Sequence, residues 1–291
     1  MFKRILFPTD FSAHAEKTME CLGALKGAGV EEVVLVHVAD VRPLTDWLDL
    51  EGFEKWRQES AGQLQEAARR LEAEGLSVKR LLKTGPPFLG IVEAAREEDV
   101  SLIVIGSHGK GYVKEVLLGS TTENVLRHSP VPVLVEKFKT VEVAGKAACE
   151  FMSQRLFAKI LYPTDFSQPA RRVQDYIAHL KAAGAEEVVL LHVQDIGRLR
   201  PHLSERMAEF NRIDAGRLEV IKGELEVAGL KAKIVLREGV PFREIMKVAD
   251  EEGASLIAMS SIGRSMVKEA LMGSVSGKVV RMAAQPVLLV K

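Results

Sequence analysis

The residues in this chain best suited to chemistry are small ones at fixed offsets. Gly106-Ser107-His108-Gly109 is followed, after nine residues, by Gly119-Ser120-Thr121-Thr122. The stretch comes directly after an apolar run, Leu102-Ile103-Val104-Ile105, and runs into a segment with helical spacing, Thr122 to Arg127. That order predicts a buried parallel strand, a loop and a helix start. Where a strand passes into a helix, unpaired peptide N–H groups and the helix dipole both favour negative charge, so a phosphate is the natural guest. Gly106 and Gly109 permit positive φ and close approach of a ligand to the backbone. Gly119 exposes a second strip of backbone, and Ser120, Thr121 and Thr122 add hydroxyls at the helix start.

Two better-known glycine signatures do not fit. The dinucleotide pattern GxGxxG is missing from the loop. A P-loop needs four residues between its first glycine and Gly-Lys; Gly273 and Gly277-Lys278 are separated by three, and Val279 stands where Ser or Thr is required. His108 lies between the loop glycines, but no Ser, Cys or carboxylate accompanies it at triad spacing, so no catalytic role is assigned. Lys110 and Lys114 read as solvated loop lysines.

The elements that must position this loop are written twice. Lys3 to Ser12, ending Pro8-Thr9-Asp10-Phe11-Ser12, returns as Ala158 to Ser167, ending Pro163-Thr164-Asp165-Phe166-Ser167. Glu31 to Val38 returns as Glu186 to Val193, and Gly85-Pro86-Pro87-Phe88 as Gly239-Val240-Pro241-Phe242. The offset is 155 at Asp10/Asp165 and 154 at Gly109/Gly263. A repeat of that length is a duplicated domain rather than a solenoid unit. Each copy reads βαβαβαβαβ. In the first, strands fall near 3–8, 32–38, 78–83, 101–106 and 132–136, and helices near 12–27, 53–74, 87–98 and 120–129. Alternating strands and helices imply right-handed crossovers and a parallel, doubly wound α/β sheet. Ser12 and Ser167 are placed to cap the first helix of each copy. The domains are set at 1–137 and 157–291, with a linker at 138–156. The stretch Val141 to Phe157 lacks a turn signal after Gly145 and reads as a connecting helix. The segment Val41 to Trp56, with Trp47, Leu48, Leu50 and Phe53, reads as an amphipathic lid rather than a cofactor box.

Composition narrows the function classes. The chain has 291 residues, 47% of them apolar and 27% charged, which suits a globular protein of two domains. Forty basic residues balance forty acidic ones, so nothing global favours nucleic acid or an anionic membrane as partner. The two cysteines, Cys21 and Cys149, have no neighbours at metal-ligand spacing, and a reducing cytoplasm is the expected setting. No apolar run approaches the roughly 20 residues of a membrane-spanning helix, and the first strand begins at once, leaving no room for a signal peptide.

With Pro-Thr-Asp-Phe-Ser at the first strand, Leu-Val-His-Val at the second and the G-x2-G-x9-G-S/T loop, the chain resembles a tandem member of the universal stress protein family. The resemblance covers both copies and leaves out the linker. It implies, in each copy, a five-stranded Rossmann-like parallel sheet of order 3-2-1-4-5, of the adenine nucleotide α-hydrolase-like type. It also implies binding of ATP or AMP in the crevice between strands 1 and 4. On that resemblance Pro8, Thr9 and Asp10 meet ribose and phosphate, and Asp10 can hold a phosphate-bound Mg²⁺. The backbone at Val38 meets the adenine edge, and Ile105, Gly106, His108, Gly109, Gly119, Ser120, Thr121 and Thr122 form the phosphate and ribose loop. Taken alone, Asp10 is equally readable as a cap for the first helix. His37 and His192 read as satisfied core histidines.

The second copy keeps Pro163, Thr164, Asp165, Val193, Gly263, Gly273, Ser274 and Val275 at the matching places, but Ser260 replaces the first loop glycine. If that position needs positive φ, serine there costs on the order of 1 kcal/mol or more and weakens the second site; if it is extended, serine is harmless. The expected function is a nucleotide-dependent stress-response or regulatory protein. A slow ATPase or adenylate-handling enzyme is one alternative. The other is a nucleotide-independent scaffold, in which the final strands of the two copies pair as an internal pseudo-dimer and two chains form a homodimer that meets a protein partner.

Overall fold

A computed structural model describes residues 2–40, 50–107, 118–143, 146–151, 155–195, 206–263 and 272–291. The chain divides into two units, Met1–Glu150 and Phe151–Lys291. The first runs β1 (Arg4–Pro8), α1 (Ala13–Glu20), β2 (Glu32–Ala39), α2 (Leu50–Ala73), β3 (Ser77–Thr84), α3 (Pro87–Glu97), β4 (Leu102–Gly106), α4 (Ser120–His128) and β5 (Val133–Glu136). All its strand pairs are parallel, in the order β3-β2-β1-β4-β5. The strands other than β3 are largely apolar because both faces are covered: Ile5, Leu6, Val33 to Val36, Leu102 to Val104 and Val133 to Val135 are all buried. The edge strand β3 carries Lys79, Arg80 and Lys83 instead. Its lysines pair with α3 at 2.7 Å (Lys79–Glu98) and 2.6 Å (Lys83–Glu97), and an edge charged in this way discourages pairing with another chain.

The crossovers decide where a ligand can sit. The strand order and right-handed connections put α1 and α2 on one face and α3 and α4 on the other. Contacts agree: Arg70 of α2 reaches Glu16 of α1 at 4.0 Å, and the rings of Phe88 (α3) and His128 (α4) lie 5.5 Å apart. The chain leaves β1 toward β2 on one side, whereas β4 lies on the other. The C-terminal ends of β1 and β4 therefore flank the switch point of the sheet, where a crevice opens.

The second unit repeats the plan with β8 (Lys159–Pro163), α5 (Gln168–Leu180), β9 (Glu187–Asp195), α6 (Met207–Val227), β10 (Lys231–Gly239), α7 (Pro241–Glu251), β11 (Leu256–Ser260), α8 (Ser274–Met282) and β12 (Val287–Val290). Its parallel order is β10-β9-β8-β11-β12. The edge strand β10 again ties its cations to the following helix, through Lys233–Glu252 at 2.7 Å and Arg237–Glu251 at 2.9 Å.

Two expectations are corrected. The stretch from Val141 onward is not a helix: β6 (Phe138–Val143) and β7 (Lys146–Phe151) form a two-stranded sheet. The residues of β6 explain it, since Thr140, Val141 and Val143 are β-branched and the run alternates with period two, while the two strands are only Ala144-Gly145 apart. The first helix is also shorter than 12–27. It ends at Glu20, and the tighter 3₁₀ form continues over Leu22–Ala28, where Gly23 and Gly27 weaken the α-helix. In the proposed lid, residues 41–49 lie outside the described set.

Candidate functional site

After β1 the chain makes a turn built from its own side chains. Thr9 N–H still donates to Val36 O at 2.9 Å, so the ladder runs one residue past the strand. Thr9 Oγ1 then accepts from Phe11 N–H at 3.0 Å, and Asp10 Oδ1 from Ser12 N–H at 3.0 Å. Between these bonds Phe11 is forced to φ 57°, a left-handed conformation that few non-glycine residues adopt. His37 holds the turn from below: its ring stacks 4.4 Å from that of Phe11, and its Nδ1 lies 2.7 Å from Thr9 O. A carbonyl only accepts, so Nδ1 carries the proton. Ser12 Oγ then caps α1, accepting from Ala15 N–H at 3.2 Å. His37 is thus a buried core histidine whose task is to orient the Asp10 turn.

On the other side of the crevice α4 is tied to the end of β4. Gly119 N–H donates to Ser107 O at 2.9 Å, and Thr122 Oγ1 to Gly106 O at 2.9 Å. Thr122 is buried and its hydroxyl proton is given to the protein, whereas Ser120 is exposed and Thr121 half-buried. No side chain caps α4, whose N-cap is Gly119. The peptide N–H groups of its first turn have no partner within the helix, as at any helix start. Ile105 and Gly106 are strand residues, in register with Val135 and Glu136. His108 and Gly109 lie outside the described residues.

Val38 supplies a third wall. Val36 O points toward β1, and the two-residue period of a strand turns the peptide groups of Val38 the same way. The β1 register ends at Pro8↔Val36, so the Val38 peptide faces the space beyond the strand end. Its side chain points away, onto α3: a methyl group built on Gly90 would lie 2.7 Å from Val38 Cγ1. Gly90 has no place in the sequence reading. Its signal is there in retrospect, as the one glycine in an otherwise good helix former.

Below the loop, Ser107 N–H donates to Glu136 O at 3.0 Å. The Glu136 side chain is buried. Loss of water raises its pKa to about 7, while hydrogen bonds from the Cys21 thiol and the Lys137 backbone pull the other way. Burial raises the Cys21 thiol and lowers Lys137 to about 8. Among the described residues no group of three or more His, Cys, Asp or Glu could hold a metal by itself.

The second unit repeats the turn almost bond for bond. Thr164 Oγ1 accepts from Phe166 N–H at 3.1 Å, Asp165 Oδ1 from Ser167 N–H at 3.0 Å, and His192 Nδ1 donates to Thr164 O at 2.7 Å. Phe166 has φ 61° and its ring lies 4.5 Å from that of His192. Gly273 N–H donates to Ser261 O at 2.7 Å, and Ser276 Oγ to Ser261 O at 2.8 Å. Ser274 and Val275 open α8, and Val275 lacks the hydroxyl of Thr121. Val193, like Val38, lies two residues past the last β8 pairing, Pro163↔Leu191.

Ser260 resolves the conditional expectation. It is the last residue of β11, opposite Val290, and its φ is not positive, so the strain argument does not apply. Its hydroxyl donates to Ile262 O at 2.7 Å. The next loop glycine, Gly263, is needed for space rather than for φ: a methyl group there would lie 2.9 Å from Asp165 Oδ2. The loop after β11 and the turn after β8 therefore touch.

A polar cluster distinguishes the second unit. Asp214 Oδ2 lies 3.5 Å from His192 Nε2 and accepts from Gln194 Nε2 at 3.1 Å. Asp214 Oδ1 lies 3.5 Å from Arg217, whose guanidinium sits 5.3 Å from the Phe166 ring centre. The buried Leu64 and Leu71 of α2 correspond to Leu218 and Leu225 of α6. On that register Ser60, Ala39 and Gln63 occupy the equivalent places in the first unit.

Known proteins share this plan. The sequence profile of the universal stress protein family matches residues 1–137 and again 156–291. A universal stress protein of Methanocaldococcus jannaschii is 40% identical over 157 residues, covering 48% of this chain and 97% of its own. One from Synechocystis is 24% identical over 291 residues, covering 98% and 88%. The crystal structure of a universal stress protein from Archaeoglobus fulgidus superposes with a TM-score of 0.76 at 29% identity, covering 100% of this chain and 99% of that one. With two family matches spanning nearly its whole length, on two units whose strands each follow the expected order, this chain belongs to the universal stress protein family.

Proposed function

We propose that the first unit, residues 1–137, binds an adenine nucleotide, ATP or AMP, in the crevice between β1 and β4, and that occupancy regulates a stress response in the cytoplasm. One observation carries this reading: the Asp10 turn, the open peptide edge of Val38 and the uncapped start of α4 surround the same switch point. The Val38 peptide offers one donor and one acceptor to an adenine edge. The first turn of α4, from Ser120 onward, offers N–H groups to phosphate, while the Gly119 N–H is spent on Ser107 O. The Asp10 carboxylate, with Oδ1 held by Ser12 N–H at the end of β1, would accept ribose hydroxyls or hold a magnesium ion that the phosphates also bind; a single carboxylate suits that ion, which draws most of its ligands from phosphate and water. Binding through fixed backbone groups suits a sensor whose partner affinity shifts with occupancy. The second unit, 157–291, keeps the turn and is a second, weaker site. The two units acting as an internal pseudo-dimer, and the chain as a homodimer, belong to the same proposal.

The test has two parts. The freshly purified protein is denatured and any released nucleotide identified by mass spectrometry. Titrations then compare the wild type with Asp10→Asn, which keeps the oxygen that accepts from Ser12 N–H and loses the charge. Release of ATP or AMP, with affinity weakened tenfold or more in Asp10→Asn in the presence of magnesium, supports the reading. Undiminished affinity in that variant would sink the role given to Asp10. Steady phosphate release abolished by Asp10→Asn would replace the sensor with an ATPase.

A further inference from the structure

Helix α6 is apolar on two opposite sides. One side is the expected one: Leu218 and Leu225 are fully buried and the helix packs on β10 and β9. The other side faces solvent. There Ile213 is 43% exposed, Val220 62% and Val227 91%, spaced seven residues apart. Gly216 and Gly223 fall between them, and a methyl group built on either meets nothing within 4 Å. This is the a/d seam of a helix pair, with β-branched residues at a and the smallest residue at d, so that a second helix can approach closely. The fold does not require it. The equivalent residues of α2 are Glu59, Gly62, Glu66, Arg69 and Ala73, a polar surface.

The flanking charges select the partner. Arg212 and Arg217 border the N-terminal half of the seam; Glu219, Glu224 and Glu226 border its centre and C-terminal half. A second copy of α6 laid antiparallel about Val220 brings Ile213 against Val227, Val220 against Val220, and Gly216 against Gly223. The same two-fold places Arg212 beside Glu226; Glu224 already meets Arg171 at 3.2 Å and Gln174 at 2.7 Å, and Arg217 meets Asp214, so these two add little to the selection. A parallel pair would put like charges together and align the helix dipoles unfavourably. We propose that the exposed face of α6 is a two-fold homodimer interface, formed by antiparallel packing of the Ile213–Val220–Val227 seam on its copy in a second chain.

The experiment uses the full chain in sedimentation velocity over a concentration series, together with directed cross-linking in a Cys149→Ser background. The wild type is expected to dimerise reversibly, and Val220→Glu to weaken the dimer about tenfold or more, because a valine at the centre of the seam is replaced by a charge facing its own copy. Val220 is mostly exposed in the single chain, so the thermal melt of Val220→Glu at low concentration is expected to match the wild type. Arg212→Glu weakens the dimer, and adding Glu226→Arg restores it. Under mild oxidation Val220→Cys cross-links to itself, while Ile213→Cys cross-links only when mixed with Val227→Cys. A wild type that stays monomeric up to about 0.1 mM overturns the proposal, as does a dimer indifferent to Val220→Glu. Self-cross-linking of Ile213→Cys as fast as the mixed pair also overturns it.

Discussion

Replacing Thr122 by valine tests whether the site depends on how α4 is anchored. Valine matches threonine in shape and lacks only the hydroxyl. The change removes the 2.9 Å bond from Thr122 Oγ1 to Gly106 O and places a methyl group against that carbonyl. A typical net hydrogen bond contributes about 0.5–1.5 kcal/mol, and an acceptor left buried adds to the loss. Thr122 is 4% exposed, so water cannot take over the bond. Together these give a destabilisation of about 1–2 kcal/mol. For a unit of this size that lowers the melting temperature by roughly 2–6 °C. The link from β4 to α4 is then left to Gly119 N–H on Ser107 O. A helix start contributes about 0.3–1 kcal/mol to a bound anion, up to ~2 kcal/mol in a partly buried site. Loosening it is therefore expected to weaken nucleotide binding about two- to tenfold.

The control is Thr121→Val, one residue earlier. Thr121 is half-buried in the first turn of α4 and belongs to the proposed phosphate loop. Its loss is expected to spare stability and to alter affinity alone. Calorimetric melts of the free protein and titrations with nucleotide separate the two effects. The reasoning fails if Thr122→Val melts and binds as the wild type does. It also fails if Thr121→Val is the variant that loses stability.

Three further outcomes follow from other contacts. In the folded chain burial raises Glu136 from 4.5 to about 7, so the native state holds a proton that the unfolded state has released. Stability contributed there is full below about pH 4.5, falls as pH rises toward 7 and stays low above it, a loss of about 3 kcal/mol at most. Urea denaturation at pH 5 and pH 8 should show that loss shrinking in Glu136→Gln; equal losses in both proteins would contradict it. Asp99 closes α3 at φ 47°, and the matching residue of the second unit is Gly253, at φ 62°. Asp99→Gly should raise stability by about 0.5–1 kcal/mol, measured by thermal melting, since glycine accepts that conformation without strain. Gly90→Ala should destabilise the first unit by about 1 kcal/mol. The methyl meets Val38 Cγ1 at 2.7 Å and Cγ2 at 2.9 Å, and overpacking of about 1–3 kcal/mol exceeds the roughly 1 kcal/mol gained in helix propensity; a more stable variant would show that Val38 yields freely.

The sheet was legible because its strands are short, apolar and written twice. Glu31 to Val38 and Glu186 to Val193 could be aligned by eye, and the parallel order followed from the alternation with helices. The stretch Val141 to Phe157 reads as a helix because no turn signal follows Gly145, whereas the β-branched residues that decide the matter, Thr140, Val141 and Val143, lie around its start. Phe11 carries no sequence signal for positive φ. Its conformation is imposed by two side-chain acceptors, Thr9 Oγ1 and Asp10 Oδ1, and by the ring of His37, which comes from a different strand. Likewise His37 reads from sequence as one more core histidine, and only the tertiary pairing of β1 with β2 reveals which carbonyl it holds. Gly106 reads from sequence as permitting positive φ and close approach of a ligand; its φ is not positive and serine takes the same strand position in the second unit, so the first of those two reasons does not apply.

The duplication also separates what the fold demands from what a ligand demands. Asp10 and Asp165 make the same 3.0 Å contact with the serine two residues on, and Phe11 and Phe166 share the same unusual conformation. These bonds form whatever occupies the crevice, so the presence of the turn does not by itself distinguish a binding site from a helix start. The differences between the units lie elsewhere. Thr121 becomes Val275 at the helix start, Ser60 becomes Asp214 beside the second-strand histidine, and Ala39 becomes Gln194 next to it. In the second unit His192 is held at both nitrogens, by Thr164 O and by the Asp214 carboxylate, and Arg217 completes the charge. A carboxylate and its partners have thus been built beneath the second turn at positions where the first unit carries Ser60, Ala39 and Gln63. Two crevices with the same backbone but different charge beneath them should not bind one anion equally. A difference in affinity between the two crevices is therefore expected to follow Asp214 and its neighbours rather than backbone strain at Ser260, and titration of Asp214→Ser is the measurement that checks it.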